Sequence, residues 1–80
     1  MLSELHNSEK IVGLKQVINS IERGSARKVF LAKDVSPDIY DNVLNLCKVN
    51  EIPVVFADTR KQLGTACKID VPAAVAAIIG

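Results

Sequence analysis

Apolar residues along this chain follow two rhythms, one helical and one continuous. From Leu14 onward Leu14, Val17, Ile18 and Ile21 share one face at helical spacing, which leaves Lys15, Gln16 and Asn19 on the other. The pattern predicts a helix from about Leu14 to Arg23, ended by Gly24, where a left-handed backbone costs least. Ahead of it, Lys10-Ile11-Val12 is a short strand candidate that delivers the chain to Gly13. Val29-Phe30-Leu31-Ala32 is apolar without a break, so neither face expects water and a central strand is predicted. Val54-Val55-Phe56-Ala57 after Pro53 predicts another buried strand, and Ala74 to Ile79 a wholly apolar final one.

The helices between these strands carry their own start signals. Ser36-Pro37-Asp38 supplies a capping hydroxyl, a proline tolerated at the first position and an acid near the positive helix end. The stripe Ile39, Val43, Leu46 and Cys47 then faces the core. Thr59 and Gln62 have capping-box spacing and open a short helix whose buried side is Leu63, Ala66 and Cys67. Met1 to Ser8 is a further short helix candidate, held by Leu2 and Leu5. Strands alternating with helices imply the α/β class: a three-layer α/β/α sandwich with a mixed sheet of about four strands. With no linker, repeat or low-complexity tract, residues 1–80 read as one domain.

Composition narrows the function. At 49% apolar and 24% charged residues the chain reads as globular rather than disordered. No apolar run approaches the ~20 residues that span a bilayer. The first residues lack the basic-then-apolar order of a signal peptide, so a cytoplasmic location and no membrane partner are expected. Cys47 and Cys67 stand twenty positions apart, with His6 as the single histidine, which gives no metal-ligand spacing. Both cysteines read as small reduced core residues.

Candidate catalytic groups are also missing. Gly64-Thr65-Ala66-Cys67-Lys68 fails the phosphate-loop spacing, and the serines lack a base partner. Asp34, Asp38 and Asp41 cluster around a helix start, where capping and solvation account for them. The expectation is a protein that is not an enzyme and carries no cofactor or metal.

The net charge of +1 hides a strong segregation. Lys10 to Lys33 holds six bases against the single acid Glu22, whereas Asp34 to Asp58 holds five acids against the single base Lys48. Arg60, Lys61 and Lys68 then face only Asp70. Such a distribution permits one basic face that could steer a polyanion. The start of the Leu14 helix adds free backbone N–H groups and a partial positive charge to Lys15, Gln16 and Asn19. That donor-rich surface suits phosphate oxygens and nucleobase edges; the ordinary alternative is a solvated outer face.

Taken in order, several short segments resemble the ribosomal protein L7Ae family of kink-turn RNA-binding proteins, most of all its compact bacterial members. They are Gly13 to Asn19, Glu22 to Val29, Ala32 to Pro37, Leu46-Cys47, Ile52-Pro53, Leu63 to Cys67 and Pro72 to Ile79. The resemblance implies a three-layer α/β/α fold and binding to kink-turns, RNA elements with a bulge beside tandem sheared G·A pairs. It implies an RNA-contacting stretch of Gly13, Leu14, Lys15, Gln16 and Asn19. In this stretch Gly13 permits close backbone approach, and Lys15 and Gln16 occupy the family's base-contacting positions. It further implies that Ile69, Asp70 and Val71 form a loop beside the RNA, with Ile69 and Val71 against the bulged nucleotide or its neighbours. For Ile69 a hydrophobic clamp on the preceding helix is an equal alternative.

Two positions depart from the family pattern. Asn19 stands where the family very often has Lys, and Val71 where it often has a basic residue before the proline. Asp70 adds a negative charge near the expected RNA path. Lys10, Arg27, Lys28 and Lys33 are further RNA-contact candidates, each with a solvated charge as its ordinary alternative. The expected partner is structured RNA containing a kink-turn, with the ribosome as one setting, bound by a monomer. A protein–protein adaptor, using the acidic Asp34–Asp58 run to hold a basic partner, is the competing expectation.

Overall fold

A computed structural model describes Leu5 and residues 9–80. Among these residues the chain forms β1 (Lys10–Val12), α1 (Leu14–Glu22), β2 (Ala26–Ala32), α2 (Pro37–Val49), β3 (Val54–Ala57), α3 (Arg60–Ala66) and β4 (Val75–Ile79). The four strands form one mixed sheet in the order β1-β4-β2-β3. β4 runs antiparallel to both β1 and β2, and β3 runs parallel to β2. β2 and β4 are central, and Val29 to Ala32 and Val75 to Ala77 are buried, as two covered faces require.

Alternation along the strands divides the core into two layers. Phe30, Ala32, Val55, Ala57 and Ala76 face Leu63, Ala66 and Cys67 around α3, together with Leu5. Val29, Leu31, Val75 and Ala77 face the opposite way, onto Val17 and Ile21 of α1 and Val43 and Cys47 of α2. This is the expected α/β/α sandwich. The helix expected over Met1 to Ser8 lies outside the described residues except for Leu5, which is fully buried.

One strand is less enclosed than its composition suggests. β3 pairs only with β2, so it is an edge, and Phe56 is 39% exposed beside Tyr40 of α2. Its apolar residues alternate between a covered face, Val55 and Ala57, and a half-covered one.

The caps behave largely as their chemistry demands. Ser36 Oγ accepts a weak bond from the Ile39 N–H at 3.5 Å, with Pro37 opening the helix behind it. Thr59 Oγ1 accepts from the Gln62 N–H at 3.0 Å. The Gln62 carboxamide returns to the Asp58 N–H at 2.9 Å, one residue earlier than a standard capping box would place it.

α1, α2 and α3 each close with paired bonds of the Schellman type. Gly24 takes the left-handed position after α1 at φ 75°. Glu51 and Lys68 take it after α2 and α3, at φ 56° and 62°.

Cys47 and Cys67 are both free and buried, on opposite sides of the sheet. Burial pushes both thiols above their ordinary pKa, an effect that the nearby Lys10 ammonium partly opposes at Cys67.

Candidate nucleic-acid interface

The antiparallel pairing of β1 with β4 decides what meets the start of α1. The Gly13 N–H donates to the Val75 carbonyl at 3.1 Å, and the Ala32 N–H to the Ala74 carbonyl at 3.0 Å. The Ala73 N–H donates to the Arg60 carbonyl at 2.9 Å. One end of the sheet therefore gathers the first turn of α1, the end of the 68–74 loop, the turn after β2 and the start of α3.

Gly13 caps α1 with its backbone alone. Its carbonyl accepts the Val17 N–H at 3.0 Å, and no side chain closes the first turn. At φ 116° an L side chain would be strained, and a Cβ would stand 2.6 Å from Gln16 Oε1. The glycine thus lets the Gln16 carboxamide fold back over the helix start. No acidic residue lies in that first turn, so the positive helix end is uncompensated there.

Lys15, Gln16 and Asn19 are all exposed on the outside of α1, as their spacing predicts. Gln16 and Asn19 line a groove of about 230 Å³ with Ser20, Arg23, Ser25 and the apolar floor of Ile11 and Ile79. Arg23 was absent from the expected contacts. Its position, four residues past Asn19 and seven past Gln16, is the sequence signal that marks it as part of the same ridge. Leu14 is half-buried against the α1–α2 side of the core, so it anchors the helix more than it faces outward.

Lys10 stands apart from this ridge. It pairs with Ile78 and lies three residues before Gly13. It shares its strand face with Val12, which packs on the α3 side, whereas Ile11 packs on the α1 side. The sheet itself therefore separates the Lys10 side chain from the outer face of α1.

The 68–74 loop is set by a close approach. A Cβ on Gly64 would collide with the Val71 carbonyl oxygen and stand 3.2 Å from Pro72 Cα, so only glycine lets α3 lie against the loop. The Ile69 N–H donates to the Gly64 carbonyl at 3.1 Å, and Ile69 packs on the α3 core beside Leu63. That is the hydrophobic clamp. Val71 instead projects outward at 61% exposure, and Asp70 is exposed beside it. These three residues and Pro72 line a second groove of about 400 Å³ with Lys61 and Thr65.

Ion pairs leave only part of the basic charge uncommitted. Lys33 Nζ lies 3.5 Å from Asp58 Oδ1, and Arg60 Nε lies 3.4 Å from Asp34 Oδ1. The Arg60 N–H also donates to the same Asp34 oxygen at 2.8 Å. No group of three or more potential metal ligands occurs among the described residues.

The family model described as the ribosomal protein L7Ae/L30e/S12e/Gadd45 family matches residues 2–80. This chain belongs to that family. It is 41% identical over 75 residues to a protein named an RNA-binding protein from Geobacillus sp. strain WCH70, covering 94% of this chain and 92% of the relative. A second protein so named, from Halalkalibacterium halodurans, is 35% identical over 71 residues, covering 89% and 87%. Among solved structures, the Giardia lamblia 15.5kD RNA binding protein superposes with a TM-score of 0.82 at 29% identity. That match covers 99% of this chain, which spans 65% of the Giardia protein. The L7Ae-type architecture is thus present, with two residues, Asp58 and Thr59, joining β3 to α3.

Proposed function

We propose that this protein is a non-enzymatic RNA-binding protein that recognises kink-turn RNA and stabilises its bent form. The observation that carries the reading is the glycine-opened start of α1, which presents Lys15, Gln16 and Asn19 next to the sheet end where the 68–74 loop returns. Membership of a family whose similar proteins are named for RNA binding supports it.

The chemistry is consistent with guanine recognition. Guanine O6 and N7 are acceptors, which the Lys15 ammonium and the Gln16 amide hydrogens can meet. A regular A-form helix hides its deep groove from side chains, so a kink is what would expose these edges. Asn19 and Arg23 extend the contact along the helix, Arg23 as the charge-bearing member. Binding the bent form more tightly than the extended one would shift the RNA toward the kink.

Contacts by a monomer, a cytoplasmic location, a single domain over residues 1–80 and association with the ribosome or a riboregulatory RNA belong to this same proposal. Titration of a kink-turn against a copy whose sheared G·A pairs are replaced by Watson–Crick pairs tests its core. Tighter binding to the kink-turn is expected, and equal affinity for both RNAs would overturn it.

A further inference from the structure

The acidic stretch of the chain folds into one place. Asp34 to Asp58 comprises α2 and β3 with their flanking turns, and β3 is the sheet edge opposite β1. Asp34 and Asp58 are engaged by Arg60 and Lys33, which leaves Asp38, Asp41 and Glu51 against Lys48 among the described residues.

The same edge has open backbone and open aromatic surface. The Val29 N–H donates to the Pro53 carbonyl at 3.0 Å and the Lys33 N–H to the Ala57 carbonyl at 2.9 Å. In a parallel pair alternate residues bond the neighbour, so Pro53, Val55 and Ala57 face β2. Val54 and Phe56 therefore turn their N–H and C=O groups outward. Beside them the rings of Tyr40 and Phe56 stack with centroids 5.9 Å apart and planes 21° from parallel. Exposed Asp38 and Asp41 flank Tyr40 on α2 and exposed Glu51 stands three residues before β3, and an accessible ring pair in an acidic segment attracts guanidinium and ammonium groups.

We infer that the β3 edge is a docking site for an extended Lys/Arg-rich polypeptide segment. The segment adds as a strand to Val54 and Phe56 while its basic side chains reach the Tyr40–Phe56 pair and the carboxylates of Asp41 and Glu51. Charge complementarity selects this occupant: a polyanion is repelled here and an acidic peptide equally so. The site is independent of the RNA reading, because it uses the far edge of the sheet from β1 and none of the α1 residues.

Tyr40 is the single tyrosine of a chain without tryptophan, so its emission reports on this site directly. The probe is a twelve-residue peptide (about 40 Å extended) alternating Arg with Thr and Val and free of aromatic residues. Titrated into the full chain, it is expected to change Tyr40 emission saturably and to slow amide exchange at Val54 and Phe56. Phe56→Thr, which keeps a strand-forming residue, and the pair Asp41→Asn with Glu51→Gln should each weaken binding at least tenfold. A peptide of equal charge built of alternating Pro-Pro and Arg-Arg pairs loses every second strand-facing N–H in either register and should not protect these amides. Equal binding by the proline peptide, unchanged affinity in Phe56→Thr, or a β3-mediated dimer of this chain that excludes the peptide would each overturn the inference. Gln16→Ala separates the two proposals without RNA in the titration, since loss of an α1 contact should weaken kink-turn binding and leave the peptide affinity unchanged.

Discussion

The carboxamide oxygen of Gln16 lies over Gly13, and a Cβ on that glycine would stand 2.6 Å from it. The glycine therefore serves twice, by accepting φ 116° and by leaving room for the residue three positions on. At φ 116° and ψ 145°, a backbone region nearly confined to glycine, Gly13→Ala is expected to lower stability by about 1–3 kcal/mol from strain alone. It should also weaken kink-turn binding by displacing Gln16. In a Gln16→Ala background the binding penalty of Gly13→Ala should shrink. Urea unfolding and RNA titration of the two single variants and the double variant read both effects. A penalty that is the same in both backgrounds would mean that Gly13 does not act through Gln16.

The polar ridge of α1 makes graded contributions. Lys15→Ala and Gln16→Ala should each cost about 1–3 kcal/mol of kink-turn affinity, the range of a good base contact. Asn19→Lys should instead tighten binding and steepen the salt dependence by about one unit of slope, as one further phosphate contact requires. Titrations at two or more salt concentrations distinguish these outcomes. An unchanged slope in Asn19→Lys would place that position away from the phosphates.

Lys68 and Glu51 hold the left-handed backbone that Gly24 holds in the third Schellman turn. A non-glycine residue there is strained, whereas glycine costs more entropy on folding. Lys68→Gly and Glu51→Gly are each expected to raise stability by up to about 1 kcal/mol in urea unfolding. A loss of stability in Lys68→Gly would show that the lysine side chain contributes more than its backbone costs.

Burial holds both thiols protonated beyond their ordinary range. The folded state then binds more protons than the unfolded chain at alkaline pH, so stability is complete at neutral pH and falls as pH rises past the ordinary thiol pKa. Native protein should react slowly with a thiol reagent at pH 8 and rapidly in urea. It should form no internal disulfide without unfolding, since the sheet lies between Cys47 and Cys67. A fast phase in the native protein would contradict the burial of one of them.

Hydrophobic spacing located β1 and α1 to within a residue, and cap chemistry marked the starts of α2 and α3, because those signals are local. They also marked β2 as central, since an unbroken apolar run needs cover on both faces, whereas the central place of β4 comes from the strand order. The same argument overstated β3. Nothing in Val54 to Ala57 distinguishes a strand with a neighbour on each side from one at an edge, and Phe56 reads as buried until the strand order is known.

The candidate site divides along the same line. Its α1 part was legible in the sequence, because residues three and four apart on a helix must share a face. Separating Lys10 from that face required the strand alternation of β1, and separating Ile69 from Val71 required the turn after α3. The sequence by itself determined the elements, the layered fold and the donor-rich helix start. Tertiary structure alone decided that the 68–74 loop returns beside Gly13 and that the acidic run contains an edge strand, β3. Strand order and long-range hydrogen bonds are relations between distant segments, and no local pattern encodes them.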